Sequence, residues 1–170
     1  MKWSIPRSAE VAVEVPAEPA QVWAVLSDPT RTGEWSHECH TVDWVDGHDR
    51  PEVGAQFRGR NRARMMRWTR TCTVTDVEPD RLLVFRTHGG YPPDSTEWRF
   101  DLAPTPSGGT RITQSFRIIA MPRYLELTIL LFLPPHRDRR SALADDLVRL
   151  GEIAARTQGI HGGRMGTSTP

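Results

Sequence analysis

The chain is poor in cysteine, lysine and tyrosine, carries no excess of either charge, and contains no long hydrophobic run. Among 170 residues the only cysteines are Cys39 and Cys72. Their separation matches no zinc or redox motif, so no metal centre is expected. The two thiols read as small buried apolar residues of a reducing compartment, a disulfide between strands being the minor alternative. Lys2 is the sole lysine, so nearly all positive charge is arginine. With 22 basic and 21 acidic side chains the net charge is +1. Such a balance argues against a chain-wide attraction to nucleic acid or anionic lipid. The most apolar stretch, Leu125 to Leu133, is interrupted by Glu126 and Thr128 and is too short to span a bilayer. Met1 to Arg7 lacks the apolar core of a signal peptide. The expectation is a soluble, cytoplasmic protein without a transmembrane segment.

What is present is alternation. Val11, Val13 and Val15 share one face of a strand over Ala9–Val15, which Pro16 ends. Pro19 opens a short helix with Val22, Trp23, Val25 and Leu26 as its stripe, closed by Asp28-Pro29. A second helical turn is read around Thr30 to Trp35. Strands follow at Thr41–Val45, Ala55–Asn61, Arg67–Val77 and Leu82–Thr87. After the loop Gly89-Gly90-Tyr91-Pro92-Pro93, one strand carries Thr96, Trp98, Phe100 and Leu102 on a single face. The last is Thr110–Ile118, reached through the turn Ser107-Gly108-Gly109. Short turns between successive strands predict an antiparallel meander.

Composition then changes. Pro122–Leu133 reads as an apolar helical segment cut by Pro134-Pro135. Arg137–Arg156 places Leu143, Leu147, Leu150 and Ile153 at helical spacing. The domain division expected is an N-terminal extension over 1–7, one domain over 8–157, and a disordered tail over 158–170. A sheet with one apolar face must bury it, and only the C-terminal helix is long enough to cover it.

Three segments resemble a known family. They are Val13-Glu14-Val15-Pro16-Ala17-Glu18-Pro19-Ala20-Gln21-Val22-Trp23, then Val53–Asn61 with Trp68-Thr69 and Val74–Pro79, and finally Thr96–Phe100 through Gly108–Thr113. In order and spacing they resemble the Bet v 1-like, START-like helix-grip superfamily, specifically its bacterial polyketide cyclase/dehydrase and lipid-transport (SRPBCC) branch. The resemblance implies an α+β fold. A curved seven-stranded antiparallel sheet would wrap a long C-terminal helix, with two short helices after strand 1 and a hydrophobic cavity inside. It implies no particular reaction, because such folds host carriers, cyclases and regulators alike.

Each candidate site residue has an ordinary structural reading beside its functional one. Trp35-Ser36-His37-Glu38-Cys39-His40 is dense in chemistry, but in an extended segment His37 and His40 point to opposite faces and no second cluster completes a metal site. Arg58, Arg60 and Arg62 fall opposite Phe57, on a solvated outer face, so no nucleic-acid partner is expected. Arg70 is a minor candidate for capturing a ligand carboxylate or phosphate. Cavity walls are expected from Trp35, Phe57, Trp68, Phe85, Trp98, Phe100, Phe116, Leu143 and Leu147, although the same residues could simply fill a core. Asn61, Thr87 and Gln114 are the polar candidates on the inward pattern.

The acid–base candidates are His37, His40, His88 and Asp146, with Asp145 beside it. Asp146 borders the apolar stripe of the last helix, where the ordinary placement of a carboxylate is exposed. No nucleophile elbow, phosphate loop or zinc-hydrolase helix is present, and no cofactor is called for. Three functions stay open: a carrier of a hydrophobic or amphipathic small molecule (lipid, polyketide or isoprenoid-like), a cyclase/dehydrase-type enzyme, and an interaction module using residues 125–133. The carrier leads. Membrane-surface contact through that apolar segment, and a monomer or a homodimer, fit the sequence equally.

Overall fold

A computed structural model describes residues 5–89, 94–132 and 138–157 of the chain. Seven strands form one antiparallel sheet: β1 Ser8–Val15, β2 Cys39–Val45, β3 Gln56–Ala63, β4 Met66–Glu78, β5 Leu82–His88, β6 Ser95–Pro104 and β7 Thr110–Ala120. Their spatial order is β1-β7-β6-β5-β4-β3-β2. Strands β2 to β7 therefore run as a meander, and β1 closes back beside β7. Register shifts between Cys39 and Thr41, Val74 and Asp76, and Ser95 and Thr96 bend individual strands. Such irregularities increase local twist and curve the sheet.

Between β1 and β2 lie α1 (Pro19–Leu26), a 3-10 turn (Pro29–Arg31) and α2 (Thr32–Trp35). Pro19 at the first turn sacrifices no intrahelical bond, and the Glu18 N–H donates to Gln21 Oε1 at 2.7 Å. Asp28 Oδ1 accepts from the Thr30 N–H at 3.0 Å and so starts the turn that leads into α2. After β7 come α3 (Arg123–Phe132) and the 18-residue α4 (Arg140–Thr157). This is the helix-grip arrangement. The expected disordered tail, the Pro134-Pro135 break, Leu133 and Arg137, and most of the Gly90–Pro93 loop's neighbourhood from 90 to 93 lie outside the described residues. So do residues 1–4 of the expected N-terminal extension, whereas Ile5 is buried and its N–H donates to Glu126 Oε1.

Helix α4 is unequal along its length. It packs backbone to backbone against β1, α1 and α2. At Gly151 an added Cβ would lie 2.3 Å from Val15 Cγ1, so the helix reaches β1 only because no side chain intervenes. Around that contact Leu147, Leu150 and Ala154 bury completely with Val22, Val25 and Ile112. This packed end is the core. The N-terminal half of α4, carrying Leu143 and Asp146, faces the middle strands across a space. Among the described residues no helix is long and apolar enough to cross a membrane.

Candidate functional site

Two adjoining chambers lie against the sheet, an outer one under α3 and an inner one under α4. The outer one, about 340 Å³, runs between Trp68, Thr87, Thr96 and Trp98 of the sheet and Leu125, Thr128 and Ile129 of α3. The inner one, about 130 Å³, lies among Trp35, His37, Phe85, Phe100, Gln114, Leu143 and Asp146. Glu38, Asn61, Arg70, Trp98 and Arg139 border both and form the neck between them.

The walls follow from strand alternation. Phe57, Phe85 and Phe100 lie on three strands and their rings meet in sequence, Phe57 to Phe85 at 5.2 Å and Phe85 to Phe100 at 6.2 Å. Phe57 and Leu147 belong to the packed core and line neither chamber. Phe116 borders a small adjoining hollow and lies tilted against Trp98 at 5.3 Å, also outside both chambers. Trp35, Asn61, Trp68, Phe85, Thr87, Trp98, Phe100, Gln114 and Leu143 do line them. Residue Gly59 matters here because the Cys39 sulfur fills the space a Cβ would take, at 3.2 Å. Both cysteines are free and border the inner chamber. Burial pushes Cys39 up to about 11 and Cys72 higher still, so neither is a ready nucleophile.

The acid–base candidates separate sharply. His37, His40 and His88 are all exposed as residues, but only His37 borders a chamber. Asp146 corrects its expected exposed placement: it is 2% accessible. Its reason is a set of donors. The His37 N–H reaches Oδ1 at 2.9 Å, His37 Nδ1 reaches Oδ2 at 2.6 Å, and Arg149 Nη2 also donates to Oδ1. A buried carboxylate is tolerable when it is paired and hydrogen-bonded in this way. Arg149 Nε additionally donates to the Trp35 carbonyl at 2.9 Å, tying the end of α2 to α4.

A carboxylate only accepts, so His37 must carry its proton on Nδ1 and turn Nε2 away from Asp146. The side chain of His37 keeps about a third of its accessibility, at 34%, and borders the inner chamber. The hydrogen bond to Asp146 raises its pKa above the ordinary 6.5, burial lowers it, and the charge of Asp146 raises it further; the upward shift wins. A histidine held in one tautomer, with a free nitrogen at a cavity wall, can give and take a proton.

The neck is charged. Arg139 Nη2 donates to Glu38 Oε2 at 2.5 Å, and its guanidinium lies 5.4 Å from the Trp98 ring centre. Arg70 pairs with Asp94 at 2.8 Å. Three polar groups of the inner chamber's residues are different. Trp35 Nε1, Gln114 Oε1 and Arg139 Nε are buried without any hydrogen-bond partner, a condition that costs roughly 1–3 kcal/mol for each neutral group. Among the described residues no group of three or more His, Cys, Asp or Glu is placed to hold a metal ion.

Sequence reasoning passed over Arg139, Arg149 and the role of Glu38. Arg149 had a readable signal, lying three residues after Asp146 on a helix, the spacing at which side chains meet. Arg139 precedes α4 and had none.

Solved structures resemble this fold over nearly its whole length. The aromatase/cyclase Zhui of a Streptomyces species aligns with a TM-score of 0.69 at 18% identity, over 92% of this chain and 98% of its own. A polyketide-cyclase-like protein of Corynebacterium glutamicum aligns at 0.54 and 26% identity, over 99% and 100%. A protein of Nitrosomonas europaea aligns at 0.63 and 14% identity, over 94% and 99%. No curated protein matches the sequence. The sequence model of one family, described as polyketide cyclase/dehydrase and lipid transport, matches residues 6–128. That span covers β1 through part of α3, the whole sheet included, while the α4 wall with Leu143 and Asp146 lies beyond it; the chain belongs to the polyketide cyclase/dehydrase and lipid transport family.

Proposed function

We propose that the protein is an acid–base enzyme of the cyclase/dehydrase kind, acting on an amphipathic, carbonyl-bearing small molecule held in the two chambers. The observation that carries this reading is the His37–Asp146 pair at the wall of the inner chamber. A carrier needs apolar walls and a few orienting groups; it has no use for a histidine fixed in one tautomer by a buried carboxylate. Aldol cyclisation and dehydration both need a proton removed beside a carbonyl and a proton delivered to an oxygen. His37 supplies the first as neutral imidazole and the second as imidazolium, Asp146 holding it in either state. Asp146 is a positioning residue, since both of its oxygens are engaged by His37 and Arg149. The apolar walls would fold the substrate and exclude water, and α3 would cover the outer chamber.

The carrier reading keeps one observation in its favour: the outer chamber is lined on one side by Leu125, Ile129 and Met121, which offer no chemistry. Native mass spectrometry of the purified protein, before and after incubation with an aryl ketone such as acetophenone, separates occupancy from emptiness. A co-purified small molecule or a bound ketone is expected. A protein that emerges empty and takes up no aromatic probe would end both readings.

A further inference from the structure

We propose that the inner chamber is a recognition subsite for one neutral six-membered ring that carries both an oxygen acceptor and a hydroxyl donor. The inference rests on the reading of the cavity as a ligand site and names what its inner chamber selects. Trp35 ends α2 with its backbone carbonyl held by Arg149 and its ring edge against Phe100, 6.2 Å between centres. The indole position is therefore fixed while Nε1–H has no partner. Gln114 projects inward from β7, in register with Phe100 of β6, and is 4% accessible. Among the described residues its side chain makes no hydrogen bond, and Oε1 is buried and unpartnered. Two elements far apart in sequence thus set an unspent donor and an unspent acceptor in the walls of the same chamber, whose lining also includes Phe85, Phe100 and Leu143.

The chemistry of the occupant follows. Indole N–H can only donate, so it asks for a carbonyl or phenolic oxygen; the amide oxygen asks for a hydroxyl. A hydrocarbon tail end would leave both unsatisfied, and a site built to hydrogen-bond a hydroxyl rejects the analogue lacking it. An anionic head is disfavoured because Asp146 and Glu38 border the same chamber, and its two arginines are already paired, Arg139 with Glu38 and Arg70 with Asp94. A volume of about 130 Å³ is close to the ~150 Å³ that holds one benzene in an apolar cavity. One ring fits, and a longer substrate would continue through the neck to the outer chamber.

The test uses resorcinol and its hydrocarbon isostere m-xylene with the full chain, followed by ¹⁵N-resolved NMR of the tryptophan indoles and by calorimetry. Resorcinol should move the Trp35 indole N–H resonance, and Trp35→Phe and Gln114→Met should each weaken resorcinol about tenfold, the worth of one hydrogen bond. Binding of m-xylene should be unchanged or tighter in both variants. Should Trp35→Phe fail to fold, Gln114→Met decides alone, since that side chain has no hydrogen bond to lose. Equal responses of the two probes would overturn the polar subsite while leaving the cavity reading intact. Failure of both probes to bind at all would overturn both.

Discussion

His37 and Asp146 are 109 residues apart in the chain, yet His37 Nδ1 lies 2.6 Å from Asp146 Oδ2. The pair joins the end of α2 to the middle of α4 and sits where the helix parts from the sheet. Its structural and chemical roles make separate predictions.

Asp146→Asn keeps the shape and removes the charge. The pKa of His37 should then fall back toward or below its ordinary 6.5, because its largest raising cause is the hydrogen bond to the carboxylate. Stability should fall by about 2 kcal/mol, the order of one charge-assisted hydrogen bond. Histidine NMR titration and urea unfolding measure the two effects on the same samples.

Stability should also depend on pH through His37. Asp146 and Glu38 favour its charged form, while Arg139 and burial oppose it, with a net raised pKa. The folded state therefore binds the proton more tightly than the unfolded chain. The contribution is complete below about pH 6.5, the unfolded value, and disappears as pH rises through the higher folded value. Urea midpoints of the parent should exceed those of His37→Gln at pH 5.5, and the difference should shrink by pH 9. A difference that grows with pH would contradict the assignment.

Gly151→Ala tests how closely α4 seats on β1. The added methyl would meet Val15 Cγ1 at 2.3 Å and Cβ at 2.5 Å, and a β-branched side chain has little rotamer freedom with which to yield. Overpacking of about 1–3 kcal/mol outweighs the ~1 kcal/mol of helix propensity that alanine brings. A melting temperature lowered by about 3–6 °C is expected, and an unchanged one would place the helix further from the strand.

Cys39 should be unreactive in the folded protein despite bordering the inner chamber. With its pKa pushed up to about 11 by burial, only about one thiol in a thousand is ionised at pH 8. Reaction with an aromatic disulfide reagent should be at least about a hundredfold slower than for an unfolded control.

Much of the fold was legible because alternation and turn chemistry are local. Each observed strand begins or ends within two residues of its expected bounds, and the departures fall at bulges and hairpin ends: β2 starts at Cys39, beside the shift to Thr41, and β3 runs on to Ala63. The aromatic walls were legible as an inward face. Which of them meet ligand space was not, since Phe57 and Leu147 differ from Phe85 and Leu143 only in where α4 stands away from the sheet. Asp146 was misplaced for a related reason. Spacing along one helix puts it at the edge of the apolar stripe, and only the arrival of His37 from α2 covers that edge. Arg139 escaped because its partners, Glu38 and Trp98, come from β2's approach and β6.

The central claim is that His37 moves a proton on a carbonyl compound bound beside it. Exchange of the methyl hydrogens of acetophenone with D₂O, followed by NMR in the presence of the protein, measures that step directly. The parent should accelerate exchange over buffer, and His37→Gln should lose about a hundredfold or more of the acceleration while still binding the ketone. Equal exchange by the parent and His37→Gln, at equal ketone occupancy, would contradict the account.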